Sequence, residues 1–344
     1  CVRRAGLCSC VAVRCVRGMD EIDFDFEKAY LQGKLKAGDV IVVRPPYGYR
    51  SWDERGVEVL WYMHSPLYGQ ADAGALWYLA CSTFLIEDLH YKRNHAEPCL
   101  FVKYPAEGQL ICIPLYVDDG KIYVDPKPAS RAMAKQDCAA LSARFKIIFS
   151  EPNPTESKFL GANHYRISQF STLLTSQSYI EQIGKRYLLK PLASYPAEWG
   201  ALPGSHGDFY KDYVDAERKL EKASTSLMKE YGSIVGALGY TPTRPDICYY
   251  WGILCRCLTF PTKTMLAHAY RVLVYLMRTP KLGLLYSGES DGAGTPEAMS
   301  DSDWDIRRSC SGFGIMLAGA LIAWSSRRQH CISLSSTEAE LMAM

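Results

Sequence analysis

Two adjacent aspartates, Asp118 and Asp119, separate two apolar runs in the segment LYVDDGKIYV, residues 115–124. A third acid, Asp25, lies in the alternating stretch MDEIDFDFEKAY, residues 19–30. If these carboxylates were drawn together, they would raise one another's pKa unless a cation neutralised them. Mg²⁺ is the natural partner, because it is usually held by one or two carboxylates plus substrate phosphates. Two such ions about 4 Å apart stabilise the oxygens of a phosphoryl displacement, so the chemistry to consider is nucleotidyl transfer.

Local patterns predict the elements that would position these acids. The flanks of the aspartate pair are rich in Ile, Val, Leu and Tyr, and Asp-Asp-Gly is typical of a turn, so residues 110–124 predict a β-hairpin. Around Asp25, apolar and acidic residues alternate with the period of two that a β-strand gives its side chains. The apolar face would carry Ile22, Phe24 and Phe26, and the acidic face Asp23, Asp25 and Glu27.

Both patterns also have an ordinary structural explanation. Aspartate tolerates the left-handed backbone of a tight turn, and an antiparallel strand often carries solvated acids on one face. Sequence spacing alone does not show that the strand and the hairpin are neighbours.

Length and composition limit the class of protein. A chain of 344 residues with 48% hydrophobic residues can bury a large core and suggests two or three domains. The sequence contains no apolar run of eighteen residues, and its arginine-broken start is a poor signal peptide, so we expect an intracellular protein without a membrane span. The thirteen cysteines are scattered, which favours buried reduced thiols over a metal-thiolate site.

The net charge of +2 excludes a strongly basic nucleic-acid binder, so any such binding would use local patches. Such basic residues are more often solvated surface than binding sites. The candidates are Arg3, Arg4, Arg14, Arg17, Lys185, Arg186, Arg327 and Arg328.

Hydrophobic periodicity predicts helices over residues 76–88, 128–144 and 263–278, the last with an apolar stripe that belongs to a core. Residues 191–208 are rich in Pro, Gly, Ala and Ser and are the best candidate for a linker. Near the end, Ser335 with Glu338 predicts a capping box that starts a helix. Further predictions are strands in SKFLGANHYRI, a short helix in SQSYIEQIGKRYLL and short strands before Ser335.

The order of several motifs resembles the reverse transcriptase of copia-type LTR retrotransposon Pol polyproteins. A match of YVDD alone would be a weak signal, but many elements in the same order are a strong one, and they extend from about residue 19 onward. The matching elements are DFEKAYLQGKL (25–35), RPPYGY (44–49), SPLYGQADAGALWY (65–78), EPCLFVKY (97–104), LYVDDG (115–120), FLG (159–161), YGSIVGALGYTPTRPDI (231–247), SDSDW, SCSGF, AWSSRRQ and LSSTEAELMA.

The resemblance implies an α+β fold. It would comprise a reverse-transcriptase palm, which is an antiparallel sheet with helices on one face, a helical thumb or connection, and a partial ribonuclease H-like α/β domain. The implied domains are a palm over 1–190 with its fingers largely missing, a linker over 191–230, a helical connection over 231–290 and a truncated ribonuclease H-like domain over 291–344.

The resemblance also implies roles for the three acids. Asp25 and Asp118 would be the principal metal ligands, with Asp119 beside them, and the cofactor would be two Mg²⁺ ions, or Mn²⁺ in their place. The implied partners are an RNA template, a DNA primer or hybrid, deoxynucleoside triphosphates and other parts of the Pol polyprotein.

Other residues acquire roles by the same comparison. Tyr30 would be the sugar gate that crowds a 2′-hydroxyl, and the less favoured alternative is a core aromatic on the helix after the strand. Asp72 stands where the family usually has a glutamine near the nucleotide, and an acid there would repel a triphosphate unless it turned away or a metal intervened. Phe159, Leu160 and Gly161 would form the primer grip, or simply strand core.

The last segment resembles a ribonuclease H domain, which uses four acids around two metals. Asp301 and Glu340 fit the first two of these acids, with Asp303 and Glu338 as near alternatives. The third and fourth acids would be expected further along the chain, so we expect no ribonuclease H activity.

Two main functional hypotheses remain open, and a third, weaker one is nuclease activity, for which only Asp301 and Glu340 argue. The first is a fragment of an RNA-directed DNA polymerase. The second is a catalytically inactive retroelement remnant that at most binds nucleic acid, because only 24 residues precede Asp25 where the family carries its basic fingers.

Overall fold

A computed structural model of the chain describes residues 1–36, 38–204, 206–303 and 308–344. The chain divides into two compact units: Cys1–Arg3 with Asp20–Asn153, and Arg4–Met19 with Pro154–Met344. The second unit therefore includes helix α1 (Arg4–Arg17). Within the described ranges, no helix is long and apolar enough to cross a membrane.

The first unit is built on a six-stranded antiparallel sheet with the strand order β4-β5-β6-β7-β1-β8, and a separate two-stranded ladder joins β2 to β3. Its strands are β1 (Asp20–Phe26), β2 (Val42–Val43), β3 (Trp61–Tyr62), β4 (Lys92–Arg93), β5 (Leu100–Lys103), β6 (Ile111–Tyr116), β7 (Asp119–Val124) and β8 (Ile147–Phe149), and its helices are α2 (Ala73–Thr83) and α3 (Pro128–Arg144).

The core of the first unit lies between this sheet and its helices. Phe24 and Phe26 of β1 are buried, whereas Asp25 between them is exposed, which confirms the predicted alternation. The Phe26 ring lies 4.8 Å from the indole of Trp77 in α2, and Phe145 packs 5.5 Å from both rings. One apolar cluster thus joins the strand that carries Asp25 to helix α2.

Local predictions for the first unit agree with the structure, with one difference. The hairpin predicted over residues 110–124 forms from β6 and β7, and α3 has the predicted bounds. The helix predicted over residues 76–88 begins earlier, at Ala73, and changes at Phe84–Asp88 into a π-helical turn.

The second unit contains two antiparallel sheets, with the strand orders β12-β11-β10-β9 and β13-β14-β15. Its strands are β9 (Glu156–Phe159), β10 (Ala162–Arg166), β11 (Ser171–Thr175), β12 (Gly283–Ser287), β13 (Glu297–Ser302), β14 (Cys310–Leu317) and β15 (Ala320–Arg328). Besides α1, its helices are α4 (Gln177–Tyr187), α5 (His206–Lys219), α6 (Thr225–Leu238), α7 (Cys248–Arg256), α8 (Lys263–Arg278) and α9 (Ser336–Ala343).

A helical core fills the second unit. Helix α8 has the predicted bounds, and Ala269, Leu273 and Leu276 of its apolar stripe are buried, whereas Leu266 is partly buried. It packs against α4, α5, α6 and α7. The mixture of helices and antiparallel sheets in both units is the predicted α+β class.

The segment 191–230 differs from the predicted linker. Helix α5 lies within it, and Phe209, Tyr213 and Ala216 of that helix are buried in the helical core. These side chains recur at helical spacing, so the segment contributes to the core in addition to connecting domains.

The boundary between the compact units also differs from the predicted domain boundary at residue 190. The chain divides at Asn153/Pro154, because β11 pairs with β12 along Ser171–Thr175 and Gly283–Ser287. That pairing places the end of the predicted palm and the end of the predicted connection in one sheet. The functional labels of the four predicted domains stay predictions.

Candidate active site

Strand pairing brings the predicted acids of the first unit together. Strand β1 runs antiparallel to β7, and in this register Asp25 is directly opposite Asp119, with Asp23 opposite Lys121. Side chains that face each other across an antiparallel pair have Cβ atoms roughly 4.5–5.5 Å apart. Asp118 precedes Asp119 in the turn of the β6–β7 hairpin. Residues separated by more than ninety positions in sequence therefore meet at one end of a strand ladder.

The turn that carries Asp118 has an unusual backbone. Val117 has a φ of 56°, in the left-handed region that β-branched residues rarely adopt. Two hydrogen bonds hold the turn: the indole Nε1–H of Trp77 donates to the Val117 carbonyl oxygen at 2.6 Å, and the Phe26 N–H donates to the Asp118 carbonyl oxygen at 2.7 Å. Strained residues that the surrounding structure fixes in this way cluster at functional sites.

A buried lysine lies beside the acids. The Lys121 side chain is 1% exposed, and its ammonium group contacts Glu21 Oε1 and Asp23 Oδ1, each at 2.6 Å. Because a buried charge is costly unless it is paired, this cation and the two carboxylates stabilise one another. On the acidic face of β1, Glu21 and Asp23 are therefore held in ion pairs with Lys121, whereas Asp25 is exposed.

The electrostatics of the facing acids disfavour their ionised forms. Desolvation, followed by the charges of Asp118 and Glu27, raises the pKa of Asp25. Desolvation also raises the pKa of Asp119 to about 7; Lys121 opposes the shift, and the neighbouring carboxylates, first among them Asp25, add to it. A cation bound between these groups would offset both the desolvation cost of the ionised carboxylates and their mutual repulsion.

The three carboxylates offer the oxygen ligands that hard divalent cations prefer. None of the carboxylates of Asp25, Asp118 and Asp119 accepts a hydrogen bond from, or forms an ion pair with, another residue that the structure describes. In the same described residues, no three His, Cys, Asp or Glu side chains form a ready-made metal cage. Mg²⁺ does not require such a cage, since it retains waters and binds through one or two carboxylates plus substrate phosphates.

Tyr30 lies near the hairpin turn. It belongs to a 3₁₀ helix, Ala29–Gln32, and its ring packs 4.9 Å from that of Tyr68. Tyr30, Trp77 and Val117 line the same cavity of about 370 Å³. The structure therefore brings the predicted sugar-gate residue to the cavity beside the turn that carries the acids.

Asp72 occupies the N-cap position of α2, and its charge is partly balanced. Gln70 Nε2 donates to Asp72 Oδ1 at 2.7 Å, and Lys36 Nζ lies 3.9 Å from Asp72 Oδ2. Among the described residues, the lining of the cavity includes Gly74 and Trp77 of this helix and not Asp72.

The predicted primer-grip residues form the turn of the β9–β10 hairpin in the second unit. Leu160 and Gly161 have φ values of 53° and 73°, as in the two-residue turns that favour such hairpins, and Phe159 is buried at 1% exposure. The acids lie in the first unit, so the structure does not bring these two sets of residues together within one unit.

The ribonuclease H candidates lie on two elements that pack together in the second unit. Asp301 is in β13 and Glu340 is in α9, and both are exposed. Helix α9 packs against β13 and β14. The last residue of the SDSDW motif, Trp304, lies outside the described residues.

The alternative acids, Asp303 and Glu338, both accept hydrogen bonds from nearby backbone N–H groups. Asp303 Oδ1 accepts a hydrogen bond from the Cys310 N–H. The Ser335 side chain caps α9 as predicted by accepting from the Glu338 N–H at 3.1 Å, and Glu338 Oε2 accepts from the Leu334 N–H at 2.6 Å.

Sequence reasoning missed two residues that shape this site. Lys121 follows Asp119 by two positions, so strand periodicity places it on the same face, opposite the acids of β1. Its pairing with Glu21 and Asp23 could have been anticipated once β1 and β7 were paired. In the sequence, Trp77 was notable only as part of the LWY motif. Its hydrogen bond to the Val117 carbonyl oxygen depends on tertiary structure, so the sequence does not predict it.

Comparison with known proteins identifies the family. The sequence profile described as "Reverse transcriptase (RNA-dependent DNA polymerase)" matches residues 7–192, which is more than half of the chain. The "Retrovirus-related Pol polyprotein from transposon TNT 1-94" of Nicotiana tabacum is 28% identical over 93% of this chain. The chain spans 23% of the length of that polyprotein.

Two further comparisons agree. A putative transposon Ty5-1 protein of Saccharomyces cerevisiae is 28% identical, and the match covers 92% of this chain and 96% of that protein. A foamy viral protease-reverse transcriptase, solved in complex with double-stranded DNA, is similar in fold, with a TM-score of 0.50 at 13% identity, over 98% of this chain and 48% of the viral one. The chain therefore belongs to the reverse transcriptase (RNA-dependent DNA polymerase) family, in the group found in the Pol polyproteins of copia-type retrotransposons.

Proposed function

We propose that the chain carries the polymerase site of an RNA-directed DNA polymerase, with Asp25, Asp118 and Asp119 as its metal-binding acids. The observation that carries the proposal is the register that sets Asp25 opposite Asp119 beside the strained turn at Val117. The reaction would join the 3′-hydroxyl oxygen of a primer to the α-phosphorus of a deoxynucleoside triphosphate. The bond between the α-phosphorus and the oxygen that bridges it to the β-phosphorus would break, and pyrophosphate and the hydroxyl proton would be released.

Two Mg²⁺ ions, or Mn²⁺ in their place, would be held by the three carboxylates. When bound, they would supply Lewis-acid stabilisation of the attacking and leaving oxygens. The raised pKa of Asp119, about 7, supports this part of the proposal, because a buried cluster of acids is stabilised by a cation.

The surrounding side chains would position the acids. Trp77 fixes the turn through the Val117 carbonyl, and Lys121 balances Glu21 and Asp23. Lys121 offsets part of the charge of these two acids, so the carboxylates left for binding cations are those of Asp25, Asp118 and Asp119. Preorganised charge of this kind supplies a large part of the catalytic power of enzymes.

Selection of deoxynucleotides would fall to Tyr30. Its ring lines the cavity together with Trp77 and Val117, so a sugar bound there would contact an aromatic surface. Asp72 would affect the nucleotide indirectly, because Gln70 and Lys36 already engage its carboxylate.

The partners in this proposal are an RNA template, a DNA primer or hybrid, deoxynucleoside triphosphates and the remaining parts of a Pol polyprotein. The foamy viral relative was solved with double-stranded DNA, which supports nucleic acid as a partner class. The order of three antiparallel strands followed by α9 supports a ribonuclease H-like domain with Asp301 and Glu340.

Primer extension on an RNA template tests the proposal. Extension should require Mg²⁺ and should be lost in Asp118→Asn, whereas Asp88→Asn, which changes an exposed aspartate of the first unit, should behave like the unchanged protein. If neither the unchanged protein nor the control extends the primer, the polymerase assignment is wrong for this chain. The alternative is then an inactive remnant whose nucleic-acid binding depends on salt and not on Mg²⁺.

A further inference from the structure

A cavity of about 480 Å³ lies in the second unit where α1 and α7 pack against β15. This volume is within the range of roughly 300–1,000 Å³ that is common for ligand sites. No Asp or Glu is found among the described residues that line the cavity. The lining residues are Arg4, Leu238, Gly239, Thr241, Arg244, Ile247, Cys248, Trp251, Gly252, Cys255, Arg256, Trp324, Ser325, Ser326, Arg327 and Arg328.

Two of the five lining arginines are engaged within the protein. Arg244 is buried and paired with Asp246 at 2.8 Å, and Arg328 is paired with Glu217 at 2.7 Å. These two residues help to build the wall of the cavity, and their charge is already balanced.

The other three arginines, Arg4, Arg256 and Arg327, have no ion pair with any acid in the described part of the chain. Arg256 contacts the sulfur of Cys310 at 3.4 Å, and Arg327 is exposed on β15. The cavity therefore holds an excess of about three positive charges, and its lining offers no acid to neutralise them.

The guanidinium group of Arg4 is already held in place. Its Cζ atom lies over the Trp324 ring, 4.0 Å from the centroid, which is a cation–π contact. The hydroxyl-bearing residues Ser325 and Ser326 of the same strand also line the cavity. Planar guanidinium donors with adjacent hydroxyls match the oxygens of a phosphate group.

The sequence alone does not predict that these arginines lie together, because they are far apart along the chain. Arg4 and Arg327 belong to two basic patches near opposite ends of the chain, each of which alone suggests ordinary solvated surface. The packing of α1 on β15 brings them to one cavity. By contrast, Arg14, from the same basic region as Arg4, is buried and donates to Thr172 Oγ1.

We propose that this arginine cavity of the second unit is a phosphate-binding site, which takes either the backbone phosphates of a nucleic-acid strand or a free oligophosphate such as pyrophosphate. Its binding requires neither Mg²⁺ nor the acids of the first unit. The proposal thus goes beyond the polymerase site and does not depend on it.

The test is binding of a fluorescently labelled single-stranded DNA to the full chain in the presence of EDTA, across a range of salt concentrations. Arg4→Ala with Arg327→Ala removes two phosphate contacts, so the affinity should fall roughly tenfold at about 0.1 M salt and the slope of log K against log salt should decrease by about 1.4. Asp88→Asn, at an exposed position of the first unit, should bind as the unchanged protein does.

The matched control is Lys185→Ala with Arg186→Ala, which removes the same charge from exposed positions of α4 in the same unit. If this control weakens binding as much as the cavity variant, the effect is general electrostatics and the proposal is overturned for nucleic acid. A second pair, Arg4→Lys with Arg327→Lys, keeps the charge and loses the planar donors, so it should bind more weakly than the unchanged protein.

Pyrophosphate distinguishes the two sources of phosphate. For a free oligophosphate as the ligand, pyrophosphate should raise the melting temperature of the unchanged protein and of the α4 control but not of the cavity variant. DNA binding should then be the same in all three proteins. If the cavity variant and the α4 control respond identically to both DNA and pyrophosphate, the cavity is not a phosphate site.

Discussion

Replacing Lys121 with methionine tests the buried ion pairs that Lys121 forms with Glu21 and Asp23. The substitution keeps most of the side-chain volume but removes a cation that is 1% exposed and lies 2.6 Å from both Glu21 and Asp23. Breaking a buried ion pair by removing one partner costs about 3–5 kcal/mol, because a charge is left uncompensated. Since globular proteins are stable by only about 5–15 kcal/mol, we expect a large decrease in the midpoint of urea unfolding at neutral pH.

The matched control restores neutrality. Lys121→Met combined with Glu21→Gln and Asp23→Asn leaves no uncompensated charge, so it should recover most of the lost stability. A free energy of unfolding for Lys121→Met within about 0.5 kcal/mol of the unchanged protein would refute the reasoning, since surface substitutions have effects of that size.

Three further predictions concern the site itself. Burial raises the pKa of Asp119 from 3.8 to about 7, so the folded state binds this proton more tightly than the unfolded chain. The contribution of this group to the free energy of unfolding should therefore fall as the pH rises from about 4 to about 7, and a melting series of Asp119→Asn should lack that slope. Trp77→Phe should cost about 1–3 kcal/mol, because it leaves the Val117 carbonyl oxygen without its indole donor, and should reduce primer extension, whereas Trp52→Phe at a 60% exposed position should change neither. Tyr30→Ala should raise the incorporation of ribonucleotides relative to deoxynucleotides in the same extension assay, and an unchanged ratio would exclude Tyr30 as the sugar gate.

Local structure around the acids could be predicted from the sequence because its causes are local. The alternation around Asp25 fixes which side chains of β1 face the core, and the apolar flanks of Asp118 fix the hairpin. The pairing of β1 with β7 joins segments about a hundred residues apart, and nothing in either segment specifies that register by itself. The pairing of β1 with β7 could be expected only because the order of the motifs resembles that of copia-type reverse transcriptases.

The division of the chain could not be predicted for the same reason. Composition suggested a linker after residue 190, but the sheet that joins β11 to β12 depends on a contact between residues far apart in sequence. Helix α5 was missed although Phe209, Tyr213 and Ala216 recur at helical spacing, because the Pro- and Gly-rich residues just before it dominated the interpretation.

Helix α1 has a consequence for how the protein is made. Its buried side packs on β11, β12 and β15, strands that leave the ribosome more than 150 residues after it. Contacts between such distant segments form slowly, since the intervening chain must be closed into a loop first. During synthesis the apolar, cysteine-rich side of α1 is therefore exposed until those strands have emerged, and a chaperone that shields short hydrophobic helices should bind the nascent chain there.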